Sequence, residues 1–129
     1  MNVTNEAPLQ GSPLSMYRSF LQKGQLAYQY DEVEGKPVFF PRVLAPGSGN
    51  TRLTWRVSAG KGSVYSVTTV STKNESAYNI VLIDMDEGYR LMSRVESVPA
   101  DQVRIGLRVK VRIHEPGDGE PPYPIFDPE

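Results

Sequence analysis

Residues 103–113 read VRIGLRVKVRI, and this stretch decides the fold class. Apolar residues from Val103 through Val109 to Ile113 alternate with arginine, lysine and one glycine. Because successive side chains of a β-strand point to opposite faces, the alternation predicts a strand with one core face and one basic face. We therefore expect a mainly β protein in which this strand borders the core.

Six segments upstream carry similar strand signals, separated by glycine-rich or polar connections. They are residues 26–30, 37–40, 53–58, 64–70, 79–85 and 90–95. Glu34-Gly35 predicts a hairpin turn between the first two, and residues 99–102 predict one turn of helix between the third and fourth barrel strands. Five strands with a small helical element before the fourth is the order of an OB-fold, so we predict a small antiparallel barrel of that type.

The two ends of the chain carry different signals. Residues 1–11 are polar and predict a loose arm. Ser12-Pro13 then offers an N-cap followed by proline at the first helical position, and apolar residues recur at helical spacing until Gly24. Residues 115–129 are rich in proline and acid, which predicts an extended tail.

Composition narrows the functional classes. A chain of 129 residues fits one domain with a small appendage, and the absence of cysteine excludes disulfides, thiolate ligands and a cysteine nucleophile. A formal net charge of -1 gives no global attraction to nucleic acid or an anionic membrane. The sequence has neither the roughly 18 apolar residues of a membrane span nor the order of a signal peptide at its start, so we expect a cytoplasmic protein.

The sequence offers no catalytic constellation. His114 is the only histidine, and no nucleophile with an orienting acid can be tied to it, so a surface position is favoured over a general base. Asp84, Asp86 and Glu87 before Gly88 fit a hairpin turn and lack the spacing of a calcium loop. We expect no catalysis by this chain alone.

Four motifs occur in an order that resembles domain-of-unknown-function family 35, over about residues 14–128. They are GKGSVYSVT at 60–68, YNIVLIDMDEGYRL at 78–91, VRIGLRV at 103–109 and PIFDP at 124–128. The resemblance implies an N-terminal helix, a rubredoxin-like zinc ribbon and a C-terminal OB-fold. We thus predict an arm and helix over residues 1–24, a ribbon over 25–51, and an OB-fold with an acidic tail over 52–129.

The ribbon has lost its metal ligands at the positions the family implies. Asp31 and Glu34 stand where one Cys-x-x-Cys pair would be, and Ala45 and Ser48 stand where the other would be. A structural zinc site needs four thiolate or imidazole ligands, so we expect no zinc, with a hard-metal site at the two carboxylates as the weaker alternative. The degenerate ribbon should be held by aromatic packing, through Phe39, Phe40 and Trp55.

The resemblance implies an accessory role in acyl-CoA chemistry. The expected partner is a thiolase-like acyltransferase, an aldolase or a hydratase, whose complex this chain helps to assemble and whose CoA channel it completes. No cofactor is expected on the chain alone, whereas a CoA thioester in the complex would contact Tyr65, Arg90, Arg94, Arg108, Lys110 and Arg112. The expected partner interface comprises Tyr17, Phe20, Phe39, Phe40, Pro41 and Arg42, with one of the two adjacent phenylalanines buried in the fold.

The fold alone suggests a second function, since OB-folds often bind single-stranded nucleic acid on stacking aromatics in a basic groove. Tyr65, Tyr78 and Tyr89 are candidates for stacking. The near-neutral total charge and the acidic C-terminal segment oppose this role, because backbone binding depends on released counterions. The vestigial ribbon also favours the acyl-CoA role, since nucleic-acid OB-folds do not require it.

Overall fold

The computed structural model describes residues 12–39, 53–71, 73 and 76–129. The predicted mainly β architecture with one N-terminal helix is confirmed. The elements are α1 (Pro13–Gln22), β1 (Ala27–Asp31), β2 (Lys36–Val38), β3 (Leu53–Val57), β4 (Lys61–Val70), β5 (Tyr78–Met85), β6 (Arg90–Ser93), a 3-10 turn (Ala100–Gln102), β7 (Arg108–His114) and β8 (Tyr123–Pro128). Within these residues no helix is long and apolar enough to cross a membrane.

Helix α1 begins and ends where its sequence signals predict. The Ser12 hydroxyl accepts a hydrogen bond from the backbone N–H of Ser15 at 3.1 Å, and Pro13 occupies the first turn, where no N–H is needed. Gly24 follows the helix at a φ of 77°, a conformation that glycine adopts without strain. Leu21 is the residue that the helix buries, and the helix packs against β1.

The first sheet has the strand order β2-β1-β3, with both pairs antiparallel. The hairpin predicted at Glu34-Gly35 is present, and Gly35 has a φ of 68° in its turn. Strand β3 pairs along its length with β1, from Ala27 opposite Val57 to Asp31 opposite Leu53. The hydrogen bonding therefore groups β3 with this sheet, although the predicted division of the chain at residue 52 assigns it to the OB-fold.

The second sheet is the OB-fold. Its order is β6-β5-β4-β7-β8, all antiparallel, with the 3-10 turn between the third and fourth strands in chain order. A parallel bridge between Val95 and Phe126 brings its two edges together, where the Glu96 N–H donates to the Phe126 carbonyl at 2.8 Å. Fully buried side chains such as Ile83, Val109 and Phe126 fill the interior.

The predicted tail over residues 115–129 is wrong for its second half. Residues 123–128 form β8, which pairs with β7 from His114 opposite Tyr123 to Val109 opposite Pro128. Phe126 in this strand is fully buried. Proline is tolerated because β8 is the last strand of the ladder, where a missing N–H breaks no strand-to-strand pairing on its outer side.

The strand predicted over residues 103–113 is shorter than expected. It starts at Arg108, because residues 105–106 form a turn in which Gly106 has a φ of 92°. Val103 and Val109 are buried as the alternation predicts, whereas Ile105 is 71% exposed. The core assignment of Ile105 is therefore wrong, since a turn breaks the two-residue period on which it rested.

An aromatic stack joins the helix and first sheet to the barrel. Tyr89, directly before β6, stacks on Tyr28 of β1 with centroids 4.7 Å apart and on Phe39 at 5.1 Å. Tyr17 of the helix meets Phe39 edge-on at 5.7 Å. Such aromatic pairs each add about 0.5–1.5 kcal/mol beyond their buried area. The stack gives the two sheets a fixed arrangement.

Candidate functional site

Tyr65 and Arg90, predicted as CoA contacts, lie together on the outside of the barrel. A β-bulge between Val64 and Ser66 displaces Tyr65 from the regular pairing of β4 with β5. The guanidinium carbon of Arg90 lies 3.6 Å from the Tyr65 ring centroid, and its Nε donates to Asp84 Oδ1 at 2.6 Å. The hydrogen bond to Asp84 raises the pKa of the Arg90 guanidinium. The result is a flat, oriented tyrosine–arginine pair that remains accessible to a ligand.

Arg94 and Arg112 share one carboxylate. Glu96 accepts from Arg94 at 2.9 Å and from Arg112 at 3.4 Å. Arg112 also donates through Nε to Asp127 at 2.8 Å, and this hydrogen bond holds the pKa of Asp127 below its ordinary value. Both predicted phosphate-binding arginines are thus engaged by acids of their own chain.

Arg108 is engaged in the same way on the opposite part of β7. Its two terminal nitrogens donate to both oxygens of Asp86 at 2.8 and 2.7 Å, and its Nε lies 3.4 Å from Glu129. The hydrogen bond from Arg108 holds the pKa of Asp86 below its ordinary value. Lys110, two residues along β7, is exposed and makes no salt bridge with the described part of the chain.

The six predicted CoA contacts therefore do not form one basic surface. Tyr65 and Arg90 make one cluster, Arg94 and Arg112 a second around Glu96, and Arg108 a third around Asp86. Each exposed pair contributes little to stability, but each places a carboxylate where an incoming phosphate would have to compete. Their assignment to CoA stays a prediction.

The predicted partner interface is partly committed to the chain's own packing. Tyr17 and Phe39 belong to the aromatic stack, and burial raises the pKa of Tyr17 to about 12. Phe20 lies 5.6 Å from the Trp55 ring, between helix and first sheet. Phe39 therefore packs within the chain's own fold, while the division of roles between it and Phe40 stays a prediction. The three remaining interface positions, Phe40, Pro41 and Arg42, lie outside the described residues.

Residues 55–114 match the family model described as ChsH2, C-terminal OB-fold domain. The DUF35 resemblance is confirmed. A solved chain described as "Ltp2-ChsH2(DUF35) aldolase" superposes with a TM-score of 0.78 and 23% identity, covering 92% of this chain and 95% of that one.

A second solved DUF35 structure shows the same fold at greater distance. It is a protein of unknown function from Sulfolobus solfataricus, with a TM-score of 0.67 and 13% identity, covering 92% of this chain and 87% of the other. No curated protein matches the sequence. At these identities the structural likeness establishes the shared fold.

Asp31 closes the ribbon turn by hydrogen bonding. Its side chain is fully buried, and Oδ1 accepts from the N–H groups of Val33 at 2.9 Å and Glu34 at 3.0 Å. Aspartate side chains commonly accept a hydrogen bond from the backbone N–H two residues later in a turn. Asp31 at the head of the predicted turn was therefore a signal for this role, and sequence reasoning missed it by treating the residue only as a replaced metal ligand. Glu34 itself points to solvent.

The described residues contain no group of three or more His, Cys, Asp or Glu side chains placed to hold a metal ion. Ala45 and Ser48, the replaced second ligand pair, lie outside the described residues. The zinc-free state therefore stays a prediction that rests on the identities of the residues at the four ligand positions.

The acidic turn before Gly88 is a hairpin, as expected. Gly88 has a φ of 103°, and the Met85 N–H donates to the Tyr89 carbonyl at 2.8 Å. Glu87 accepts from the Ser58 hydroxyl at 2.9 Å and the Ala59 N–H at 2.8 Å, so it holds the segment that leads from β3 into the barrel. Sequence reasoning missed this linking role of Glu87.

His114 stands at the end of β7, where its ring lies 5.1 Å from the ring of Tyr123. His114 is thus a strand-end residue that packs beside another ring, the kind of position that the sequence favoured over a general base. None of the described hydrogen bonds links His114 to a nucleophile.

Proposed function

We propose that this chain is a non-catalytic accessory subunit of a cytoplasmic acyl-CoA-processing enzyme, a thiolase-like acyltransferase, an aldolase or a hydratase. The observation that supports the proposal most is the extent of the likeness to the DUF35 chain of the Ltp2-ChsH2 aldolase. It covers 92% of this chain, so it includes most of the helix and first sheet as well as the OB-fold. A shared OB-fold alone would be a weak guide to function.

The absence of a reactive constellation among the described residues supports the non-catalytic part. Asp84, Asp86 and Asp127 each accept hydrogen bonds from an arginine, and these contacts orient arginine side chains on the barrel surface. A general base needs a substrate proton or a nucleophile within hydrogen-bonding reach. Asp84 and Asp86 have an arginine there instead.

In the complex, we propose that the chain completes the CoA channel beside the Tyr65–Arg90 pair. The stacked ring and guanidinium form a flat surface suited to the pantetheine chain, and the phosphates are proposed to meet the cations of β7. Lys110 is the best placed of these, because an incoming phosphate would not have to displace a partner carboxylate from it. The chain alone is proposed to bind no cofactor.

Binding of single-stranded nucleic acid is less well supported. That role needs cations free to neutralise phosphates along a groove. Here Arg90, Arg94, Arg108 and Arg112 are all paired with carboxylates of the same chain.

Affinity capture from the native host tests the proposal. The tagged full chain should recover an acyl-CoA enzyme in stoichiometric amount, identified and quantified by mass spectrometry, whereas the tag alone should not. Recovery of nucleic acid, or of no acyl-CoA enzyme across repeated preparations, would contradict the accessory role.

A further inference from the structure

One face of the barrel is exposed and largely apolar. Along β5 the side chains alternate between the interior and this face, to which Tyr78, Ile80, Leu82 and Asp84 point. Register places Met92 of β6 beside Leu82. The outward residues of β4 continue the face on the other side, with Ser66 opposite Leu82, Thr68 opposite Ile80 and Val70 opposite Tyr78. We call this surface the apolar wall; Tyr65 and Arg90 complete it.

The exposure of the wall is unusual for its residue types. Tyr65 is 49% exposed, Tyr78 39%, Ile80 41% and Met92 63%. Isolated exposed apolar residues are ordinary on any protein, whereas a contiguous apolar patch marks an interaction site. Strand pairing makes these residues contiguous, so they form a patch and not a scatter.

The charge of the wall restricts what can cover it. Asp84 and Arg90 lie at one end and neutralise each other through a 2.6 Å hydrogen bond, and Arg94, two residues after Met92, is paired with Glu96 at 2.9 Å. The outward face of β7 and β8 is very different, since Arg108, Arg112 and Asp127 form charged pairs there. The barrel therefore has one side covered by charged pairs and one apolar side whose charges are paired at its margin.

We propose that the apolar wall is the docking surface for the acyl-CoA enzyme subunit, whose facing surface is apolar and uncharged. This inference rests on the proposed function and adds the surface through which it acts. Interface centres are depleted of charge and enriched in tyrosine, methionine and arginine, and Tyr65, Tyr78 and Met92 are among the exposed residues of the wall. An uncharged partner surface is its complement, because burying an unpaired charge against it would be costly.

The other occupants fit the wall less well. Single-stranded nucleic acid would need a free cation beside the tyrosines, but Arg90 is held by Asp84. The wall consists of ten residues, at most half of the about 20–30 that a standard interface takes from each side, so a second copy that used the wall alone would form a small interface. A larger enzyme subunit can extend onto the loop carrying Ile105, because Gly106 in that loop hydrogen-bonds to Val64 beside Tyr65.

The docking surface also explains the position of the proposed CoA contacts. Tyr65 and Arg90 stand at the margin of the wall, so an enzyme docked there would bring its own acyl-CoA beside them. The expected partner surface on the helix and ribbon is more committed to internal packing, as the contacts of Tyr17 and Phe39 show.

The test uses the purified full chain and the purified acyl-CoA enzyme recovered with it, with affinity measured by isothermal titration calorimetry. Met92→Glu places a charge on the most exposed of the wall's apolar side chains and should weaken binding by about 30-fold or more, the level of an interface hot spot. Ile80→Thr keeps a β-branched residue in the strand, removes apolar contact, and should weaken binding by about fivefold. Val33→Glu, the same kind of change on the exposed turn between β1 and β2, should stay within about twofold of the wild type.

Both wall variants should retain the wild-type urea transition, because their side chains are exposed. Wild-type affinity in both wall variants would overturn the proposed docking surface while leaving the accessory function intact. If Val33→Glu weakened binding as much as the wall variants do, docking would lie on the first sheet and the proposed surface would again be overturned. Failure of the wild-type chain to recover any acyl-CoA enzyme would overturn the proposed function and this inference together. The wall would belong to another occupant if the chain formed a homodimer in sedimentation velocity, or bound oligothymidylate, and Met92→Glu abolished that association.

Discussion

Replacing Asp31 by alanine should destabilise the chain by about 2 kcal/mol, even though no metal is expected at this position. The side chain is fully buried, and its Oδ1 accepts from the N–H groups of Val33 and Glu34 at 2.9 and 3.0 Å. A hydrogen bond to a charged acceptor contributes about 1.5–3 kcal/mol, and a buried donor left without its acceptor costs about 1–3 kcal/mol. The two donors here are only partly buried, so we take about 1 kcal/mol for each.

Two further variants separate hydrogen bonding from metal binding. Asp31→Asn keeps an oxygen acceptor and removes the charge, so it should cost about 1 kcal/mol, half the effect of alanine. Glu34→Ala removes the other acid of the replaced ligand pair, but Glu34 is exposed and should change stability by less than about 0.5 kcal/mol. A metal site would lose its metal with either acid, whereas the hydrogen-bonded turn depends on Asp31 alone.

Urea denaturation followed by tryptophan fluorescence measures these differences. Trp55 is the only tryptophan and lies on β3 directly opposite Gln29 of β1, two residues from Asp31. At a urea m-value of roughly 2 kcal/mol/M, a loss of about 2 kcal/mol lowers the midpoint by about 1 M. An Asp31→Ala midpoint equal to the wild type, or equal losses for the aspartate and glutamate variants, would refute the reasoning.

Four other outcomes follow from the same structure. Gly62→Ala should cost about 2 kcal/mol in urea denaturation, because an added Cβ would lie 2.6 Å from the backbone oxygen of Asp84 on the paired strand; a change below about 0.5 kcal/mol would count against the close packing. Burial raises the pKa of Tyr17 to about 12, above its unfolded value near 10. Because the unfolded state ionises first, the stabilising contribution of Tyr17 should be constant up to about pH 10 and decline towards pH 12. Tyr17→Phe should lessen that decline in the free energy of unfolding. The hydrogen bond from Arg112 lowers the pKa of Asp127, so the pair's contribution to the free energy of unfolding is present above about pH 4 and is lost in stronger acid. Arg112→Ala should therefore reduce the loss of stability on acidification. Elemental analysis of protein purified without chelators should find far less zinc than one equivalent per chain, and a full equivalent would show that the ligand replacement was misread.

Sequence reasoning succeeded where local patterns and burial agree. Strand alternation located β4 to β7, because each has one buried and one outward face, and the Ser12 cap located α1. It failed at β8, whose prolines and acids are typical of a tail, since proline is tolerated in a strand at the end of a ladder. It also failed at Ile105, where a turn at Gly106 interrupts the alternation.

The site was harder to predict, because its contacts depend on register between distant segments. Alternation placed Arg108 on an outward face, but nothing local indicated that Asp86, in another hairpin, would pair with both of its terminal nitrogens. The predicted basic face is neutralised by such pairs. The apolar wall was equally hidden, since its continuity comes from the pairing of Leu82 with Ser66 and Met92 across three strands.

The central claim, that this chain assists an acyl-CoA enzyme without catalysing a reaction itself, is tested most directly by titrating the purified chain into its separated partner enzyme. Turnover of acyl-CoA thioesters should be undetectable with the chain alone. It should rise with added chain and level off at the stoichiometry of the complex. Turnover by the chain in the rigorous absence of the partner, or partner activity that is indifferent to the chain at every ratio, would contradict the account.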